Sequence, residues 1–193
     1  MSYFSFLPAE NAVLPDLAFR WPGRYANLLR YTHKLLRGKS ELSIAERELI
    51  GAYVSGLNSC NFCYSIHATL ADHYGVSETL LQLMLDDLEQ SPLEPKLKPI
   101  FRYVKKLTET PSRITSEDVE AITAEGWREK TVVDAMSIAA GFAAWNRLMD
   151  GSGIPIVPQS DRPKAITFMR TQGYMPWYMA PFFRLWGWVR NPN

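Results

Sequence analysis

The chain's two cysteines, Cys60 and Cys63, lie three residues apart, and His67 follows the second by four. A helix turns by about 100° per residue, so this spacing places all three side chains within roughly 60° of one another. The start of a helix and a nearby imidazole both lower the pKa of a thiol, and the thiolate is its nucleophilic form. A sulfenic acid on one sulfur can be captured by the other as a disulfide. The spacing therefore predicts nucleophilic or redox thiol chemistry.

A carboxylate that could orient the imidazole comes from the preceding segment. Glu48 lies twelve residues before Cys60. If the two segments are antiparallel helices, Glu48 and His67 lie at similar distances from the hairpin turn and can meet. Glu46 is better explained as the residue that completes a capping box with Ser43 at the start of its helix. Glu48 is therefore the candidate partner of His67.

The elements that must position these residues are predicted to be helical. Apolar residues recur at helical spacing, and no stretch shows the sustained alternation of a strand. The prediction is an all-α fold with two related helical halves, because the second half repeats the plan of a short helix, a turn and a helix of small residues. Capping residues and helix breakers predict four successive helices here. The first ends at Gly38 and the second runs from Ser43 to Asn58. The third ends near Gly75 and the fourth begins at Ser77. Gly56 and Asn58 are the expected left-handed closing residues of the second of these.

Composition excludes several function classes. Of the 193 residues 47% are hydrophobic, which predicts a packed globule, and the net charge of +1 gives no electrostatic case for binding nucleic acid or an anionic membrane. The first residues show no pattern typical of a secretory signal, and two cysteines in such a chain favour a reducing, cytoplasmic location. In that compartment a CxxC pair is more often catalytic or metal-binding than structural.

The motif also allows several less specific interpretations. Zinc binds thiolates and imidazole, but a structural site normally takes four ligands, and His33 and His73 have no matching spacing. We therefore expect no metal. The same residues are compatible with a structural disulfide, with a buried His67 that does no chemical work, and with a plain ion-pair role for Glu48.

The last part of the chain is rich in aromatic residues. We divide the chain into a helical domain over 1–155 and a C-terminal extension over 156–193, which contains Trp177, Trp186 and Trp188. Prolines, an arginine and a glycine interrupt this segment, so it does not predict a membrane span. The extension is expected to pack on the core or on a neighbouring subunit, because exposed it would form a large apolar patch.

The pattern Glu48-x11-Cys60-x-x-Cys63-x-x-x-His67 resembles the motif of the alkylhydroperoxidase D (AhpD) and carboxymuconolactone decarboxylase superfamily. The stretch "SIAAGFAAWNRLMDGSGI" looks like its peroxidase-related branch. The resemblance implies an all-α homo-oligomer, whether dimer, trimer or hexamer. It also implies a small organic hydroperoxide as substrate and a dithiol protein as reductant.

The resemblance also implies a role for each residue. Cys63 would be the attacking thiolate, Cys60 the resolving partner and a proton donor, and His67 with Glu48 the proton relay. No cofactor is implied beyond the redox-active Cys60–Cys63 disulfide. Helix-start reasoning alone would instead make Cys60 the more acidic thiol. Phe62 stands where well-known members have a second histidine, which makes the relay shorter and the pocket more apolar.

Three functions follow from these residues and the resemblance. The leading hypothesis is a thiol-dependent peroxidase. A carboxymuconolactone decarboxylase-type enzyme is the second hypothesis, although that chemistry does not need two cysteines. The third is a non-enzymatic dithiol redox sensor or interaction protein, in which oxidation changes the oligomer.

Overall fold

A computed structural model describes residues 2–175, and every regular element in that range is helical. Single turns of 3-10 helix lie at Pro95–Leu97 and Pro111–Arg113. The predicted all-α class is confirmed, whereas the two related halves and the oligomer stay predictions. The α-helices are α1 (Leu14–Arg20), α2 (Pro22–Arg37), α3 (Ile44–Leu57), α4 (Asn61–His73), α5 (Glu78–Asp86), α6 (Lys98–Glu109), α7 (Ser116–Ala124), α8 (Glu129–Ser152) and α9 (Arg162–Thr171).

The predicted capping box opens α3. The Ser43 hydroxyl accepts the backbone N–H of Glu46 at 3.2 Å, and the Glu46 carboxylate accepts the backbone N–H of Ser43 at 2.6 Å. These two bonds satisfy N–H groups that have no partner inside the helix. Gly38 ends α2 and Ser77 caps α5, both as predicted. Local sequence signals therefore set the boundaries of the helices around the motif.

The turn between α3 and α4 fixes the first cysteine. Asn58 caps α3 in a right-handed conformation (φ −84°), and the left-handed residue is Ser59 (φ 57°) rather than the expected Gly56 or Asn58. The N–H groups of Ser59 and Cys60 bond to the carbonyls of Gly56 and Ser55, both at 2.9 Å. This is the Schellman arrangement, which ends a helix on satisfied carbonyls. Cys60 is consequently held as the N-cap of α4.

Helix α3 lies in the centre of the core. Its residues 47–55 are all buried, and α4, α6 and α8 pack around it. Tyr53 meets Phe101 of α6 edge-on at 5.4 Å between ring centroids. On another side Gly51 lets the ring of Phe142 from α8 approach the α3 backbone closely. The helix that carries Glu48 is therefore held rigidly from several directions.

Substitution of Gly51 by alanine is expected to destabilise the fold. The added Cβ would lie 2.4 Å from the Phe142 ring, which is itself buried and cannot withdraw freely. Overpacking of this kind costs about 1–3 kcal/mol of unfolding free energy. Urea unfolding of Gly51→Ala measures that loss. Gly151→Ala is the matched control, because a Cβ there meets no atom within 4 Å; equal stability of the two variants would contradict the packing described.

The chain after α8 returns across α4. Ile166 of α9 packs against Ile66 and Leu70 of α4. The predicted boundary between 155 and 156 stays a prediction, and the tryptophans of the predicted tail lie outside the described residues. Among residues 2–175 no helix has the length and apolar character needed to cross a membrane.

Candidate active site

Glu48 and His67 meet at the centre of the α3–α4 hairpin. Nδ1 of His67 lies 2.7 Å from Oε2 of Glu48, and the Glu48 side chain is fully buried. A carboxylate only accepts hydrogen bonds, so the imidazole donates from Nδ1 and its Nε2 is left to accept. The antiparallel geometry expected from the spacing therefore brings this pair together.

Two further residues bind the same carboxylate, and the sequence did not indicate either. Nη1 of Arg37, at the end of α2, donates to Oε1 of Glu48 at 2.6 Å. The hydroxyl of Tyr174, beyond α9, donates to Oε1 at 2.8 Å and to Oε2 at 3.0 Å. Glu48 thus collects donors from α2, α4 and the segment after α9.

These donors determine the charge of Glu48. Burial raises the pKa of the carboxyl group, but the hydrogen bond and charge of His67, followed by those of Arg37, outweigh it and hold the pKa below its ordinary value. Burial and the nearby Glu48 charge raise the pKa of Tyr174 well above its usual range, so its hydroxyl stays a donor. The site therefore holds an ionised carboxylate at neutral pH.

Protonation of Glu48 at low pH is expected to lower the free energy of unfolding. Because its folded pKa lies below its unfolded value, about 4.3 for glutamate, the ionised group stabilises the fold above that value. The contribution is lost as the pH falls through the folded pKa. We expect the unfolding free energy to decline below about pH 5, measured by urea unfolding across the acid range. The decline should be shallower in Glu48→Gln, and parallel profiles would contradict the assignment.

The two thiols are free and buried in an apolar cluster. Cys60 and Cys63 pack with Trp145 and Met149 of α8 and with Leu17 of α1. Phe62 lies partly buried against the same cluster. Apolar surroundings of this kind favour an organic molecule over a strongly hydrated one.

The pair of thiols is electrostatically asymmetric. The hydrogen bond from the Cys63 thiol, followed by that from the Cys63 backbone N–H, lowers the pKa of Cys60 despite burial. The same contact with Cys60, together with burial, raises the pKa of Cys63. Cys60, the N-cap, is consequently the more acidic thiol of the pair, as helix-start reasoning predicts.

Asn146 of α8 links the thiols to the hairpin. Sγ of Cys60 lies 3.8 Å from the Asn146 carbonyl. The Asn146 amide donates to Oγ of Ser55 at 3.0 Å and accepts from Nδ2 of Asn58 at 2.9 Å. This network fixes the turn that carries Cys60 relative to α8.

The ring of His67 is held by aromatic neighbours. Phe142 meets it edge-on at 4.5 Å between centroids, and Tyr174 stacks on it at 5.8 Å. Among residues 2–175 no hydrogen bond joins His67 directly to either sulfur, so a proton passing between them needs a bridging group such as water. The same part of the chain contains no group of three or more metal-ligating side chains with metal-binding geometry.

Part of the chain matches a known protein family. The model of the carboxymuconolactone decarboxylase family matches residues 22–99, from α2 to the start of α6. The uncharacterized protein YdfG of Bacillus subtilis (strain 168) is 24% identical over 153 residues, which cover 79% of this chain and 93% of YdfG. The family match includes Glu48, Cys60, Cys63 and His67.

Solved structures share the fold. An uncharacterized peroxidase-related protein from Silicibacter sp. TM1040 is 21% identical with a TM-score of 0.65, covering 71% of each chain. Another peroxidase-related protein, an alkylhydroperoxidase AhpD core from Ralstonia eutropha JMP134, is 19% identical with a TM-score of 0.67, covering 80% of this chain and 77% of its own. The helical fold around the motif is thus AhpD-like. The match of the family model to residues 22–99 confirms the resemblance to the AhpD and carboxymuconolactone decarboxylase superfamily. The solved structures share the helical fold.

Proposed function

We propose that this protein is a thiol-dependent peroxidase that reduces small organic hydroperoxides. The observation that carries the proposal is a pair of free thiols at the start of α4, one helical turn from a buried, hydrogen-bonded Glu48–His67 pair. Nucleophilic cysteines are activated by such an adjacent base and orienting carboxylate. The apolar cluster around the sulfurs favours an organic hydroperoxide.

The first step is attack on the peroxide by Cys63. Its proton passes to the Cys60 thiolate, and the Cys63 sulfur attacks the terminal oxygen of the hydroperoxide. The O–O bond breaks, Cys63 becomes a sulfenic acid, and the alkoxide takes the proton from the Cys60 thiol and leaves as the alcohol, which restores the Cys60 thiolate. Cys63 is 4% exposed and Cys60 is fully buried, which supports Cys63 as the attacking residue.

The second step forms the disulfide. The Cys60 thiolate attacks the sulfenic sulfur of Cys63, and water leaves after protonation of the hydroxyl group. The low pKa of Cys60 keeps it ionised for this attack. A dithiol protein then reduces the disulfide by thiol–disulfide exchange and restores both thiols. The cycle needs no metal or organic cofactor.

His67 and Glu48 relay protons in this scheme. The Nδ1–H bond to Glu48 fixes the tautomer of His67 and leaves Nε2 to take or give a proton through a water molecule. Glu48 stabilises the imidazolium that forms when His67 accepts one. Arg37 keeps Glu48 ionised throughout.

The decarboxylation named in the matching family is the second candidate. The family match itself favours it. Decarboxylation of a lactone needs a proton donor and a binding site for an anion, whereas two adjacent free thiols add nothing to it. Their presence beside the Glu48–His67 pair therefore favours peroxide chemistry.

Steady-state consumption of cumene hydroperoxide with dithiothreitol tests the proposal. We expect many turnovers per subunit, with cumyl alcohol formed in equal amount, and consumption that stops after the first equivalent when dithiothreitol is omitted. Thiols that remain reduced and titratable, with no turnover, would contradict it. A single oxidation accompanied by a change of assembly would instead support the redox sensor.

A further inference from the structure

The segment after α9 reaches the candidate site from outside the family domain. Tyr174 lies beyond residues 22–99, yet its hydroxyl contacts both carboxylate oxygens of Glu48 and its ring stacks on His67 with an angle of 16°. It therefore touches both members of the proposed relay. Its hydroxyl is 3.4 Å from Nδ1 of His67, a nitrogen already committed to Glu48.

The backbone before Tyr174 is built to place it there. Gly173 has φ +71°, a left-handed conformation that side chains rarely adopt, and a Cβ on it would lie 2.4 Å from Nδ1 of His33. The same Nδ1 accepts the backbone N–H of Tyr174 at 3.3 Å. Burial, followed by the charge of Arg37, lowers the pKa of His33 and keeps this nitrogen available as an acceptor.

Arg37 ties the segment to the carboxylate. Its guanidinium lies over the Tyr174 ring at 5.1 Å from the centroid while Nη1 binds Glu48. Nη2 also reaches the carbonyl of Met169 in α9 at 3.4 Å. Arg37 thus joins the end of α9 to the carboxylate of Glu48, which lies in the second turn of α3.

We propose that Tyr174 is a positioning residue of the relay, whose hydroxyl holds the Glu48 carboxylate in the orientation that His67 requires and helps to keep it ionised. Tyr174 contacts neither sulfur in this role and acts only through Glu48 and His67. The inference rests on the proposed function, since a relay is needed only if the thiols exchange protons.

The charges around Glu48 determine the expected effect of losing the hydroxyl. Arg37 faces it from α2 and His67 from α4, and Arg47 interacts at longer range from α3. Removing the Tyr174 hydroxyl leaves these groups in place but removes one hydrogen-bond donor to the ionised Glu48 carboxylate. The carboxylate then becomes easier to protonate.

Tyr174→Phe tests this in the full-length protein. We measure the unfolding free energy and the rate of peroxide turnover against pH, and each profile falls at acid pH with a midpoint. We expect both midpoints to move to higher pH by about 0.5 to 1 unit. Tyr103→Phe is the matched control, a buried tyrosine of α6 remote from the site. It should leave the midpoints of both profiles unchanged, whatever it costs in stability.

Gly173→Ala provides a second route to the same result. The added Cβ displaces His33 or the segment, so Tyr174 should leave Glu48 and both profiles should shift as in Tyr174→Phe. Uniform destabilisation without a shift in Tyr174→Phe would overturn the proposal, as would a shift in stability alone. Absence of turnover in the wild type would overturn the proposed function and with it the relay role, while the stability profile would still decide whether Tyr174 acts on Glu48.

Discussion

Cys63→Ser is expected to lower peroxide turnover by about 10³-fold or more. A serine hydroxyl is hardly ionised at neutral pH and forms no sulfenic acid, so the O–O bond has no nucleophile. The substitution is nearly isosteric in the apolar cluster, and the fold should persist. Consumption of cumene hydroperoxide, with the far-ultraviolet spectrum as a check on folding, measures the effect.

Cys60→Ser is the matched control for that loss. It removes the resolving sulfur but leaves the proposed nucleophile, so one equivalent of peroxide should still be consumed and a sulfenic acid should persist on Cys63. The low pKa of Cys60 makes the reverse assignment the specific competitor. A persistent sulfenic acid on Cys60 in the Cys63→Ser variant would show that the roles are exchanged.

Glu48→Gln is expected to reduce both turnover and stability. The relay loses the charge that supports His67, which costs about 10²- to 10⁴-fold in rate. Arg37, whose side chain is only 11% exposed, loses its buried counter-ion, and breaking such a pair costs about 3–5 kcal/mol. Turnover and urea unfolding of the same preparation give both numbers.

Two further variants distinguish the loss of the buried Glu48 charge from a general effect of changing a residue in α3. Glu46→Gln removes a carboxylate from the same helix but retains the capping box, so stability and turnover should change little. The double variant Glu48→Gln, Arg37→Met removes both buried charges and should recover much of the stability, but not the turnover. Recovery of turnover in the double variant would contradict a role for the Glu48 charge in the relay.

Much of the fold around the motif follows from local sequence signals. The Ser43–Glu46 box, the stop at Gly38 and the cap at Ser77 act within one helical turn, so their residue types predict them directly. The predicted end of α3 at Asn58 is confirmed, but the predicted left-handed residue is wrong. The left-handed residue is Ser59, an amino acid with no strong preference for that conformation, and the two flanking helices impose it.

The candidate site was only half predictable. Glu48, Cys60, Cys63 and His67 belong to one hairpin, where spacing and helical geometry determine which side chains meet. Arg37 and Tyr174 come from other elements, and Tyr174 is separated from Glu48 by 126 residues. A buried carboxylate requires donors, which predicts that such partners exist. Helical periodicity carries no information on which of the chain's many arginines and tyrosines supply them.

Mass spectrometry after one equivalent of cumene hydroperoxide tests the central claim most directly. The account predicts that wild-type protein loses both thiol hydrogens, with a disulfide that maps to the peptide containing Cys60 and Cys63, and that added dithiothreitol restores the original mass. Cys60→Ser should instead gain one oxygen on Cys63. Unchanged thiols after the peroxide has been consumed, or oxidation confined to methionine, would contradict thiol-based peroxide reduction by this chain.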